Sequence, residues 1–334
     1  MHERGGRINS INKHSRVSMS SPPIEITFPD IRRWASGNTG LDYVWSFRGS
    51  LPGPHVCVSA LVHGNEVCGA IATDQLLDAL QGRATVKRGT LSVVFANVDA
   101  YHAFDVEKPF ESRCVDEDFN RLWREDTLDG SRDSKELRRA RALRAHFDQV
   151  DHLLDLHSML EPAPPIALAG DTAKGLALAR AIAIPEHILV DAGHAAGKRL
   201  RDYAGFADPN SAKSALLVEC GQHWERSVGE FACDVMWRFL RHFDVLDSVP
   251  FALVDKPIRA QRVIDISQVV TVNTERFQWV RPLLGLETIA QAGTLIATDG
   301  VSEIRTPHDD AVMVMPVPHP KVGQTAVRIG RFRA

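Results

Sequence analysis

Three apolar runs in this chain stop at imidazole or carboxylate groups. In "LVHGNEVCGA" (residues 61–70) the run ends in His63 and Glu66, "HLLDLH" ends in His157, and "SALLVE" ends in Glu219. Taken alone, the first stretch reads equally well as a strand-to-helix turn, with Gly64 bending the chain and Asn65 capping the next helix. A cap does not explain His157 and Glu219 at equivalent places on other runs. Two imidazoles and one carboxylate are the ligand set of a catalytic zinc, bound at roughly 2.0–2.2 Å with a fourth position open to water. His63, Glu66 and His157 supply that set. Glu219 is then the remaining carboxylate, free to take a proton from a metal-acidified water and hand it to a leaving amine. Asp155, two residues before His157, shares its strand face. It either orients the imidazole from behind or is an ordinary solvated strand residue.

A further feature is "ESRCVDEDFNRLW" (residues 111–123), which brings Arg113, Asn120 and Arg121 together. Guanidiniums suit bidentate capture of a carboxylate and stabilisation of a tetrahedral oxyanion. A charged surface loop is the plain alternative, although Phe119, Leu122 and Trp123 suggest a packed segment. "GHAAGKRLRDYAGF" (residues 193–206) offers Lys198, Arg199, Arg201 and Tyr203 to an anionic substrate, but reads first as a solvated basic turn. His55, His146, His242, His308 and His319 have no partner ligands at metal spacing. His223, four residues after Glu219, reads as a loop histidine with the pocket rim as its alternative.

The elements that must position these groups follow from periodicity. From about residue 55 to 245, short apolar runs alternate with amphipathic segments: "HVCVSALV", "GTLSVVFANV", "HLLDLH", "HILVD" and "SALLVEC" as strands, and "EVCGAIATDQLLDAL", "SKELRRARALRAHFDQV", "AKGLALARAIA" and "GEFACDVMWRFLRHF" as helices. Such alternation predicts an α/β fold, a mixed, mostly parallel sheet flanked by helices. Ligands of such sheets gather outside the carboxyl ends of the strands, where the four groups fall. Near Pro250 the pattern changes to short valine- and threonine-rich runs broken by glycine and proline, which predicts a smaller all-β domain. The expected organisation is a disordered tail over residues 1–22, an α/β domain carrying the candidate zinc site and its hydrolytic chemistry over 23–247, and a β-rich C-terminal domain over 248–334. Met19 is an alternative start.

Composition narrows the class. A net charge of −3 over 334 residues gives no reason to expect nucleic acid or an anionic membrane as partner. No apolar run approaches the roughly 20 residues that span a bilayer. The five cysteines, 57, 68, 114, 220 and 233, stand without CxxC pairs, so a disulfide framework is not expected and a reducing cytoplasm is.

The motifs "HGNE", "DFNR", "DLH" and "VEC", in this order, resemble the succinylglutamate desuccinylase/aspartoacylase family, a branch of the zinc carboxypeptidase-like hydrolases. The resemblance implies that His63, Glu66 and His157 hold one zinc ion per chain and that Glu219 is the general acid/base. It implies that Arg113 assists the scissile carbonyl, and that Asn120 and Arg121 hold the substrate carboxylate. The implied reaction is amide hydrolysis of a small N-acyl amino acid or related amine, and a counterpart of the β-rich C-terminal region is also implied. A metallocarboxypeptidase acting on short peptides is the second reading, and a metal-binding module without catalysis the third. The acyl group, the amine and homo-oligomer formation stay open.

Overall fold

The computed structural model describes residues 22–194, 196–248 and 259–334. The expected N-terminal tail (apart from residue 22), Met19 and the change of character near Pro250 lie outside the described residues.

Seven strands form over residues 44–222: β1 (Val44–Arg48), β2 (Leu51–Ala60), β3 (Arg88–Phe95), β4 (His152–Met159), β5 (Ile166–Leu168), β6 (His187–Val190) and β7 (Ser214–Gln222). Of these, β2, β3, β4, β6 and β7 stand where the apolar runs predict them, and β1 and β5 were not predicted. Between them lie α1 (Cys68–Leu80), the short α2 (Val98–His102) and α3 (Glu125–Leu128), α4 (Lys135–Phe147) and α5 (Ala173–Ile182), with α6 (Ser227–His242) following β7. Ser134 caps α4 through Leu137 N, and Thr172 caps α5 through Gly175 N, satisfying donors that the first helical turn leaves open.

The β-rich C-terminal stretch contributes β8 (Arg262–Thr271), β9 (Phe277–Trp279), β10 (Thr288–Ile289), β11 (Leu295–Asp299), β12 (Ser302–Arg305), β13 (Ala311–Val314) and β14 (Thr325–Phe332). One sheet of 11 strands runs β1-β3-β2-β4-β7-β5-β6-β8-β14-β13-β10. Its centre, β3-β2-β4-β7, is parallel, and β1 adds antiparallel at one edge. β8 pairs parallel with β6 and antiparallel with β14, so the C-terminal strands extend the main sheet. A second sheet, β12-β11-β9, stands apart from it. The architecture is therefore mixed α/β, with a large central sheet that is parallel at its heart and an antiparallel β region beyond.

Strand alternation divides the core. Val56, Val58 and Ala60 of β2 and Leu154 and Leu156 of β4 face α1, α5 and α6. Cys57 and Leu153, one residue out of phase, face α4 together with Phe119, Leu122 and Trp123. Each large apolar side chain so buried contributes about 1.5–3 kcal/mol. His157 and Glu219 are register partners across β4 and β7. They share the strand parity of Leu153 and Ala215, the face on which α4 and the 111–123 segment pack.

Candidate active site

β2 ends at Ala60, and Leu61 then takes φ 59°, a left-handed conformation rare for a branched residue. The turn throws His63 across the carboxyl edge of the sheet. Gly64 comes next because a Cβ there would stand 2.3 Å from the carbonyl carbon of Ala100 and 2.5 Å from the Ser112 oxygen. Its N–H donates to Arg113 O at 3.1 Å, which ties the His63 turn to the arginine segment. Asn65 does not cap α1: the helix begins at Cys68 without a side-chain cap, and Asn65 Nδ2 donates to Pro109 O.

His63, Glu66 and His157 meet. Nδ1 of His63 stands 2.7 Å from Glu66 Oε1, and Nδ1 of His157 stands 2.7 Å from Glu66 Oε2. The ligand atoms of the three residues all lie within 4.8 Å of one another. Each imidazole is held from behind by a carboxylate: His63 Nε2 is 3.0 Å from Asp118 Oδ1, and His157 Nε2 is 2.9 Å from Asp155 Oδ2. A carboxylate on Nε2 keeps the proton on that nitrogen and turns the Nδ1 lone pair towards the centre. That donor set, two Nδ1 atoms and a carboxylate with charged supports, fits a divalent cation.

Asp155 is 0% exposed, so it is a support and not a solvated strand residue. Asp118 is the partner that sequence reasoning missed, although it opens "DFNR"; as N-cap of the next turn it also accepts from Asn120 N. Burial opposes charge on Glu66, but the two imidazoles outweigh it and hold the carboxyl well below its ordinary value. Burial likewise opposes a proton on His157, and Asp155 and Glu66 override it and raise that imidazole well above its ordinary value.

Glu219 sits beside this cluster, 7% exposed, with Oε2 buried and without a hydrogen-bond partner among the described residues. Burial pushes its carboxyl up to about 8, helped by the charge of Glu66 and opposed by His157 and Arg113. Arg113 spans two carboxylates, donating from Nη1 to Glu66 Oε1 and from Nη2 to Asp118 Oδ2, each at 3.1 Å. Its side chain keeps 39% exposure, which leaves donors for a ligand. Asn120 is buried and accepts from Leu200 N through Oδ1 at 2.8 Å, so its amide nitrogen is the group turned to other use. Arg121 donates to Asn120 O and stands 4.0 Å from Asp118.

Arg199 and Arg201 are not a solvated turn. At 3% and 2% exposure they lock into Asp191 and Asp202, with Arg199 bidentate on Asp191 at 2.8 and 3.0 Å. Tyr203 turns away and donates to Asp148. His223 is buried, with Nδ1 2.8 Å from Ser158 Oγ. Burial lowers it to about 4, helped by Arg113, His63 and His157.

The class that this fold and site define is a mixed α/β protein with a His/Glu/His cluster at the carboxyl edge of its sheet. Residues 52–244 match the succinylglutamate desuccinylase/aspartoacylase catalytic domain, and the chain belongs to that family. No match to the chain is found among curated proteins. Solved structures share the fold over nearly the whole chain. Succinylglutamate desuccinylase from Vibrio parahaemolyticus has a TM-score of 0.67 at 17% identity, covering 88% of this chain and 87% of that one. The desuccinylase from Vibrio cholerae has a TM-score of 0.66 at 16% identity, covering 87% and 86%. The product-bound ectoine utilization protein EutE (DoeB) from Ruegeria pomeroyi has 0.56 at 16%, covering 86% and 87%. No helix among the described residues is long and apolar enough to cross a membrane.

Proposed function

We propose that the protein is a zinc-dependent deacylase that hydrolyses the amide bond of a small N-acyl amino acid or related N-acyl amine. The observation that carries the reading is Glu219, a buried carboxyl with a free oxygen set beside two histidines and a glutamate. Burial and the charge of Glu66 raise this carboxyl above its ordinary value, which favours its holding a proton for the leaving nitrogen, as a general acid must. Membership of the family supports the same reading.

His63 and His157, through Nδ1, and Glu66 would hold one zinc ion per chain. Bound there, zinc supplies a Lewis acid for the scissile carbonyl and lowers the pKa of a bound water. Glu219 accepts a proton from the attacking water and returns it to the leaving nitrogen. Amide and water thereby become a carboxylic acid and an amine. Arg113 donates to the carbonyl oxygen as negative charge gathers on it, where a preorganised donor is worth most. The Asn120 amide and the Arg121 guanidinium hold the substrate carboxylate. Asp118 and Asp155 keep both imidazoles in the orientation the site needs.

The test pairs elemental analysis with a mass-spectrometric screen of N-acetyl and N-succinyl amino acids, run on the wild type and on Glu219→Gln. About one zinc per chain in both proteins is expected, with kcat down about 10²–10⁴-fold in the variant. Turnover indifferent to Glu219 would overturn the mechanism. Trimming of short peptides with no action on N-acyl amino acids would put the carboxypeptidase reading first.

A further inference from the structure

A buried carboxylate outside the site gathers an unusual set of donors. Glu136, in the first turn of α4, is 0% exposed. Its Oε1 accepts from Asn97 Nδ2 at 3.2 Å and from Val115 N at 2.6 Å. Its Oε2 accepts from Asp116 N at 3.0 Å and from Glu117 N at 3.3 Å. An acid in the first turn of a helix ordinarily sits at the surface, where it complements the helix dipole. This one is out of water, and a buried charge is tolerated only when it is hydrogen-bonded or paired. Four donors converge on it, and three of them are consecutive backbone amides, the kind of concavity that binds an anion. The chain fills that concavity with its own carboxylate.

The three amides stand between two groups of the candidate site. Arg113 lies two residues before Val115, and Asp118 directly follows Glu117. Arg113 reaches Glu66, and Asp118 backs His63. Residues 114–118 belong to no helix or strand, so no backbone ladder fixes them. They are fastened twice more near the start of α4: Lys135 N donates to Asp116 Oδ2 at 2.7 Å, and Arg132 pairs with Glu117. The fourth donor, Asn97, lies just past β3, and its own N–H donates at 2.8 Å to Leu61 O, at the bend that aims His63. From one position Glu136 therefore ties the backbone behind His63 to the backbone between Arg113 and Asp118.

We infer that Glu136 is a positioning residue, which sets the places of Arg113 and Asp118 by holding the amides of residues 115–117. The inference rests on the deacylase reading for the reaction that Arg113 serves. The place requires a carboxylate. Each oxygen accepts from two donors, so the amide nitrogen of a glutamine would meet N–H groups whichever way it turned. Asn120 has its own anchor at Leu200 N, which leaves substrate binding less dependent on Glu136 than the chemical step is.

The test compares Glu136→Gln, Glu136→Asp and Ser134→Ala in the full chain, with Glu136→Gln also made in an Arg113→Ala background. Ser134→Ala removes the cap of α4 but none of the bonds to residues 115–117, so it reports on a merely structural effect. The readings are melting temperature, zinc affinity by competition with a chelating dye, and kcat and KM at saturating zinc. The substrate is whichever N-acetyl or N-succinyl amino acid the wild type turns over. Glu136→Gln should lower kcat about ten- to hundredfold, the size of a misplaced catalytic group, with KM moving less. Through Asp118 it should weaken zinc about tenfold. Glu136→Asp keeps both charged oxygens on a stem one methylene shorter, so its losses should be smaller and in the same direction. It carries the test if the glutamine variant fails to fold. Ser134→Ala should melt lower with kcat and zinc affinity unchanged. Without Arg113, Glu136→Gln should cost little further kcat, because the two residues act as one unit. Unchanged kcat and zinc affinity in Glu136→Gln overturn the inference. So does a kcat loss equally large without Arg113, or a Ser134→Ala variant that reproduces the losses. Failure of the deacylase reading would show separately, as absent turnover in the wild type, and zinc affinity would still read the hold on Asp118.

Discussion

Two histidine pairs lie in the same sheet region, and they differ in what stands between the rings. At the carboxyl edge, His63 and His157 sit with ring centroids 5.2 Å apart and an interplanar angle of 68°. Near the opposite ends of the strands, His55 and His146 sit 5.5 Å apart at 87°. Glu66 bridges the first pair, with Asp118 and Asp155 behind it. Ser92 bridges the second, its Oγ 2.9 Å from His55 Nε2 and 3.0 Å from His146 Nε2. The electrostatics separate accordingly. Burial is the largest influence on both His157 and His146 and acts against a proton on each. Carboxylates reverse it for His157, while His55 adds to it for His146, which falls to about 4. Ring geometry alone therefore does not define a candidate cation site. The anionic groups between and behind the rings do.

The sharpest way to break this contrast is to remove the bridge. Glu66→Gln should purify without metal under conditions where the wild type retains it, and turnover should fall to background. Elemental analysis of both proteins decides this, and full metal occupancy in the variant would sink the proposed ligand set. Milder effects belong to the supports. Asp118→Asn and Asp155→Asn should each weaken zinc about 10–100-fold, measured by competition with a chelating dye. Equal affinities in variant and wild type would reduce both aspartates to packing. The same dye should find no site at His55 and His146.

The contrast also explains what could be read from the sequence. The positions of β2, β3, β4, β6 and β7 and of the four long helices followed from apolar periodicity, because buried strands and amphipathic helices carry their pattern locally, whereas the short β1, β5, α2 and α3 carry too little of it. The carboxyl-edge position of His63, His157 and Glu219 followed once strand direction was assumed, and β4 and β7 pair in the register that sets His157 against Glu219. Asp118 was hidden because its partner lies 55 residues away, a contact that spacing does not encode. Arg199 and Arg201 read as solvated because a basic run usually is. Their aspartates, Asp191 and Asp202, lie close in sequence, but which of them a fold buries depends on packing. The sheet order was hidden as well, since nothing local shows that β14 joins the main sheet through β8.

The smallest expected effect falls on the serine-bridged pair, and pH is the lever. His146 titrates at 6.5 in an unfolded chain and at about 4 in the folded protein. Between those values the unfolded state binds the proton and the folded state does not, so stability rises with pH across that window. The contribution is fully present above about 6.5 and is lost as pH falls towards 4, by an amount on the order of 3 kcal/mol. His146→Gln has no imidazole to protonate at this position. Its unfolding free energy, from urea titrations between pH 7 and 4, should therefore fall less steeply than that of the wild type. Parallel profiles would show that His146 is already solvated or charged in the fold, and that the two histidine pairs differ less than their bridges suggest. The measurement reads stability alone, so it tests the neutral half of the comparison without turnover or metal content entering the result.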